Sequence, residues 1–373
     1  MKKLGAIIIC ILMMISMSAI SASATVSDGV LTLPEDDGTG YPTTGIFDFY
    51  SHNKDIHKVI VPENIVRLGE QAFYSCTNLE QIKLHSKIQK IGKQAFEKTA
   101  YYENAENWID GVLYIGDCLI KADPNKISST YKVKEGTRLI ADSAFENCGN
   151  LTSIILPNTV EYVGLEAFAG TALMANQENW SDNSLIINHV LVCVNEDYKG
   201  TFSVPDGIST IADYAFAYTG VTEVITPDSL RFVGLNAFLD CQELEAIHFG
   251  SAVESLGRGP LQRCTKLKTI TVQEGNKHFA VVDGVLYNYQ LSSVIKCPQK
   301  ITGTVTLPHS VIIINAYSFE SCTELEAVTI PDGCIFIGES AFYLCEKLDD
   351  IILPETMEYI DDVAFSFCNS FES

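Results

Sequence analysis

Basic side chains are scarce. The 373 residues hold 25 Lys and Arg against 47 Asp and Glu, a formal charge of −22. No surplus of positive charge exists to neutralise phosphates, so nucleic acid is excluded as a partner, and docking on anionic lipid with it. Charged residues of either sign make up only 19% while apolar residues reach 47%, which permits a large core and excludes wholesale disorder. After the first 20 residues no apolar run is long enough to span a membrane. Cys-x-x-Cys pairs, His-Glu-x-x-His spacing, Gly-x-Ser-x-Gly elbows and Gly-rich phosphate loops are all missing. The usual signatures of zinc sites, hydrolases and nucleotide binding are therefore absent, and no cofactor or metal is expected.

What is present begins with a leader. Met1-Lys2-Lys3 is a short positive stretch, Leu4 to Ile20 is nearly all apolar, and Ala22-Ser23-Ala24 is a small-x-small cleavage site. Residues 1–24 read as a secretory signal peptide, which places the mature chain outside the cell, secreted or associated with the surface.

The rest is dominated by self-similarity. Ala-Phe occurs at 72–73, 95–96, 144–145, 167–168, 215–216, 237–238, 341–342 and 364–365, with Ser318-Phe319 as a variant copy. Within runs the phenylalanines recur every 22 or 23 residues, and Leu261 stands 23 after Phe238 as a degenerate copy. A period of this length signals a stacked repeat rather than separate globular domains. Each unit ends a Leu-x-x-Ile-x-Leu run with the alternation of a short strand. Pro157, Pro227, Pro331 and Pro354 then remove a backbone donor and end it. A second extended piece follows, closed by a small residue such as Gly92, Gly164 or Gly338. The spacing of Ala72, Phe73, Cys76 and Leu79 predicts one or two helical turns with one buried face.

The frame Cys-x-x-Leu-x-x-Ile-x-Leu-Pro-x-x-Val-x-x-Ile-Gly-x-x-Ala-Phe resembles the BspA-like, Treponema-type leucine-rich repeats, over roughly residues 51–373. The resemblance implies an α/β repeat fold: a leucine-rich-repeat solenoid of short parallel strands and short helical turns. It also implies an exported bacterial surface or secreted protein that binds other proteins, with adhesion to host or microbial proteins as its role. One elongated body with a continuous core is expected. Residues 25–50 lack the frame and are assigned to an N-terminal cap. Insertions near 97–136, 169–204 and 273–303 interrupt the array. Asp110-Gly111 and Asp283-Gly284 precede alternating apolar runs, so the insertions read as added β-hairpins.

Seven cysteines, from Cys76 to Cys368, sit three residues after the ladder position and read as buried apolar fillers, not ligands; the alternative is a disulfide between adjacent rungs, Cys322–Cys345 or Cys345–Cys368, whose spacing a disulfide could span. The residue between the last two apolar positions of each strand should point outward. Lys83, Ile155, Ile225, His248, Thr271, Thr329 and Ile352 hold that position and form a candidate stripe, with carboxylates such as Glu245 and Asp349 beside it. The stripe suits an extracellular protein or peptide, with the insertions as side walls. Trp108 and Trp180, repeated in two insertions, either pack against a neighbouring rung or contact a ligand, glycan included. The chain is not expected to be an enzyme. The alternative is an enzyme acting on carbohydrate or peptide, or its carbohydrate-binding accessory, with the site in the insertions.

Overall fold

The structure, a computed structural model, describes residues 25–32, 45–46 and 50–368. The expected signal peptide at 1–24 lies outside the described residues.

Two columns of short parallel strands build the molecule. In the first, Lys58–Ile60 pairs with Gln81–Lys83, and Thr130–Lys132 with Ser153–Ile155. Lys199–Ser203, Gly220–Ile225, Ala246–Phe249 and Thr269–Val272 follow as one sheet, then Gly303–Thr306, Leu325–Thr329 and Asp350–Ile352 as another. Alternation decides the faces: Val224, Ile247 and Ile270 stack inward while Ile225 and Thr271 are exposed. The second column consists of two-residue strands, such as Arg67–Leu68 beside Lys90–Ile91 and Phe336–Ile337 beside Tyr359–Ile360. No single unit could bury its own apolar face; stacking does so collectively.

The ladder phenylalanines stack as near-parallel rings. Phe73 and Phe96 lie 5.6 Å apart at 4°, Phe319 and Phe342 4.8 Å apart at 10°. The backbone is also paired from rung to rung here, with Phe73 N donating to Ala95 O at 2.8 Å and Phe342 N to Ala364 O at 2.8 Å. The α/β expectation is corrected at this point, because the Ala-Phe segments are successive tight turns and not helix. Tyr74 N donates to Gln71 O, Cys76 N to Phe73 O and Leu79 N to Cys76 O, each three residues back. The reason is backbone handedness. The residue before Ala and the residue two after Phe are left-handed in each copy, as at Gln71 (φ 56) and Ser75 (φ 59). A left-handed residue cannot propagate a right-handed helix. Among the described residues, α-helix is confined to Ala100–Glu103 and Ala172–Ala175, each capped by a threonine, Thr99 or Thr171.

The repeat register reaches back into the segment assigned to the cap. Tyr50 stacks on Phe73 at 5.8 Å and 12°, in the ladder position, and His52 supplies the left-handed residue two further on (φ 62). Val30–Thr32 pairs in parallel with Lys58–Ile60 as a further first-column strand, and Thr25–Ser27 folds back antiparallel along its edge.

The hairpins do not flank the array; they divide it. Val112–Ile115 pairs antiparallel with Cys118–Ala122, and Ser184–Ile187 with Val190–Val194. Val285–Asn288 lies between Phe279–Val282 and Ser293–Lys296. The last strand of each continues the second column, Cys118 opposite Leu139, Val190 opposite Thr210 and Ser293 opposite Ile313. Both faces are buried. Leu113, Ile115 and Ile120 pack into the core that precedes the first hairpin, Val112, Tyr114 and Leu119 into the core that follows. The same split separates Leu185 and Ile187 from Leu191 and Val194. The expected continuous core is therefore four cores with three two-faced walls between them. The array also curls. Lys90 Nζ lies 2.9 Å from Asp142 Oδ2 and 3.2 Å from Asp213 Oδ2, the second partner 123 residues away. Arg258 pairs with Glu339, 81 residues on. With rungs about 4.8 Å apart, side chains span such intervals only if the array curls so that its second column lines the inside.

Candidate binding surface

The outward residues of the first column are brought together in four groups, one per core, instead of one stripe. Lys83 lies opposite Ile60, and Ile155 opposite Lys132. Ile225, His248 and Thr271 follow one another across a single sheet, starting from Ser203. Thr329 and Ile352 continue from Thr306. Sequence reading missed Ile60, Lys132, Ser203 and Thr306. A usable signal existed for three of them: Ile60, Ser203 and Thr306 each stand two residues before a corner proline, as Ile155 and Ile225 do.

The chemistry of this surface is apolar points within a charged lattice. Ile60, Ile155 and Ile225 are each a little over 40% exposed, and Ile352 is 76% exposed. Around them ion pairs link neighbouring rungs, Lys268 to Glu245 at 2.9 Å and Lys266 to Glu243 at 2.7 Å. The hydrogen bond and charge of Lys268 hold the Glu245 carboxyl below its ordinary range. Both partners are solvated, so these pairs set surface pattern more than stability.

The middle sheet carries a hydroxyl, an imidazole and a carboxylate in line. His248 Nε2 lies 3.2 Å from Glu223 Oε1, and His248 Nδ1 lies 2.8 Å from Thr271 Oγ1. The carboxylate can only accept, so Nε2–H donates to it, and in the neutral ring Nδ1 then accepts from the Thr271 hydroxyl. Thr201 Oγ1 donates to the other oxygen of Glu223 at 3.1 Å. The order of groups matches a nucleophile–base–orienter relay, but this one lies on an open sheet face. A relay needs a cavity to hold substrate and donors aimed at a developing oxyanion. The arrangement ties strands together through their exposed side chains.

Trp108 and Trp180 have their polar ends occupied. Trp108 Nε1 donates to Tyr102 O at 2.7 Å, and its ring meets Tyr102 edge-on at 5.1 Å. Trp180 Nε1 donates to Met174 O at 3.0 Å. Both indoles are half-buried, one against the first core and the other against the second. Neither lies among the outward residues of the first column. Among the described residues no group of three His, Cys, Asp or Glu side chains is placed to hold a metal ion. No helix among them is long and apolar enough to cross a membrane.

Thirteen-odd rungs of one frame, with leucine, isoleucine and phenylalanine columns in register, match the sequence model for the BspA type leucine rich repeat region over residues 44–175, 195–304 and 299–373. The chain belongs to the BspA-type leucine-rich-repeat family. No curated protein matches this family member. Among solved structures it is similar to the pneumococcal vaccine antigen PcpA, at 18% identity over 87% of this chain and 60% of that one, TM-score 0.32. It thus spans about 60% of that antigen's chain. A leucine-rich repeat protein from Eubacterium ventriosum aligns at 20% identity over 94% of this chain and 69% of its own, TM-score 0.36. A leucine rich cell surface protein from Faecalibacterium prausnitzii aligns at 22% identity over 83% of each chain, TM-score 0.31.

Proposed function

We propose that this BspA-type repeat protein is exported and binds an extracellular protein or peptide in an adhesive role, through the outward residues of its first strand column. The observation that carries this reading is the exposure of Ile60, Ile155, Ile225 and Ile352 at equivalent positions, amid carboxylates and rung-to-rung ion pairs. Alternation exposes this register in every strand and propensity favours β-branched residues there; what supports a contact surface is that isoleucine, not a polar residue, holds it at these four exposed places. The leader at residues 1–24 supports export. Each group repeats one outward position across the neighbouring strands of its own sheet, which gives a partner several equivalent contacts.

The test is a variant with Ile155, Ile225 and Ile352 all changed to Ser. Surface-protein extracts captured on the wild type and on the variant are compared by mass spectrometry, with circular dichroism to check folding. Partners retained by the wild type should be lost or strongly depleted on the variant. Equal retention by a folded variant would reject the surface.

A further inference from the structure

At the second hairpin the first strand column lacks a strand. In regular rungs the residue after the strand gives its N–H to the next rung: Val133 N to Ile155 O at 3.0 Å, Val204 N to Ile225 O at 2.9 Å, Thr226 N to His248 O at 2.9 Å. Leu156 holds the same position and donates instead to the side chain of Asn188, at 3.0 Å. The next first-column strand, Lys199–Ser203, pairs with Gly220–Ile225 and is the edge of its sheet. A groove of about 390 Å³ runs along that edge, between Thr201 and Ser203 on one side and the hairpin turn at Ser181, Asp182 and Asn183 on the other, with half-buried Ile186 in its lining.

Register decides which backbone groups face the groove. In a parallel ladder a residue turns its N–H and C=O to the same neighbour, and the next residue turns them to the other. Val204 serves the Gly220–Ile225 side, and Phe202 shares its parity. Thr201 and Ser203 therefore turn theirs to the groove. The Tyr198 hydroxyl donates to Thr201 O at 2.5 Å, so the groups left for a partner are the N–H of Thr201 and the N–H and C=O of Ser203. An edge of this kind is a template for another strand unless charge, proline or a bulge blocks it. The single register shift falls between Gly200 and Thr201 and leaves Thr201 to Ser203 regular.

The surroundings select the charge of the occupant. Between residues 176 and 222 there is one basic side chain, Lys199, against six carboxylates. Asp182 lines the groove, and Asp197 and Asp206 are exposed at the two ends of the strand. We infer that this edge takes an extended basic peptide segment of a partner as an added strand, with alternate apolar side chains toward Ile186 and lysine or arginine toward the carboxylates. The inference rests on the reading of this protein as a peptide or protein binder and names a separate contact from the isoleucine surface.

The probe is a short fluorescein-labelled peptide of alternating lysine and valine, read by anisotropy. Its controls are the glutamate–valine counterpart and the lysine–valine peptide N-methylated at every residue, which removes the strand's donors on both edges. Saturable binding of the first peptide alone is expected. Ser203→Pro removes the N–H that faces the groove and puts its ring in that place, and should weaken binding at least about 10-fold. Asp182→Lys with Asp206→Lys should move the preference to the glutamate peptide. The Ile155, Ile225 and Ile352 variant should bind the probe as the wild type does, so failure of the isoleucine surface and failure of this groove give different results. No binding, equal binding of both charges, or a folded Ser203→Pro variant that binds unchanged would overturn the inference.

Discussion

Several of the cysteines three residues after a ladder position are donors as well as fillers. Cys241 Sγ donates to Phe216 O at 3.0 Å, Cys264 to Phe238 O at 3.1 Å, Cys345 to Phe319 O at 3.1 Å and Cys76 to Tyr50 O at 2.9 Å. Each thiol thereby satisfies a carbonyl of the preceding rung. Thr99, Thr171 and Thr219 stand at the same position but turn their hydroxyls to their own rung, at 2.8, 2.7 and 2.7 Å. Burial pushes the Cys76 and Cys148 thiols up to about 11, so almost no thiolate exists at neutral pH. None of the eleven described cysteines is joined in a disulfide. A thiol reagent should therefore react slowly with the native protein, and denaturation without reductant should release nearly all of these thiols; recovery of only a few would show rung-to-rung disulfides. A second residue-scale prediction concerns Val363, held left-handed at φ 49 although β-branched. Val363→Gly removes that steric cost and should raise stability by about 1 kcal/mol in denaturant titration.

At the scale of the element, ring stacking and the two-faced hairpin do the work expected of helix and continuous core. Phe342 lies between Phe319 at 4.8 Å and Phe365 at 5.1 Å, fully buried. Phe342→Ala should cost about 3–5 kcal/mol, measured by urea unfolding, because neighbours held by their own backbone ladders cannot close the cavity. The column positions were legible in the sequence because a period of 22 or 23 residues put Ala-Phe in register. The turn conformation was not. Gln71, Glu166 and Val363 all occupy one left-handed position, so residue type did not announce it. The role of the hairpins was only partly legible. Val112-Leu113-Tyr114-Ile115 is apolar throughout, the mark of a strand covered on both faces, whereas rung strands alternate.

For the whole molecule, the inner side of the curl is held by charge. Lys90 lies between two nearly buried carboxylates, so the cluster carries one negative charge in excess. Burial would lower the Lys90 ammonium, but Asp142 and Asp213 together outweigh it and raise it. Burial pushes Asp213 up to about 6 from its ordinary 3.8, Lys90 pulling the other way. Between those values the native state keeps a proton that the unfolded chain has lost. This contribution to stability is fully present below the unfolded value and falls as pH rises through about 6, by about 3 kcal/mol. Glu320, Glu166 and Asp361, also raised by burial, act with the same sign. The carboxylates held low, Asp228 among them, are exposed and offset this weakly. Thermal unfolding should therefore occur at a higher temperature near about pH 5 than near about pH 7.5. Asp213→Asn keeps an acceptor for Leu235 N and should flatten the difference.

Sequence by itself determined the repeat, its period, the columns that become core and the positions that face solvent. These are local consequences of alternation, proline corners and a recurring Ala-Phe, each readable within one unit. Tertiary structure alone decided that the hairpins are internal walls, that the array curls, and which outward residues share a sheet. Those outcomes depend on contacts such as Lys90 with Asp213, 123 residues apart, where no local pattern links the partners. Ile155 and Ile225 hold the same place in the frame, yet a wall puts them on different sheets. The frame specifies how one rung stacks on the next, and the walls between cores specify how the stacks meet.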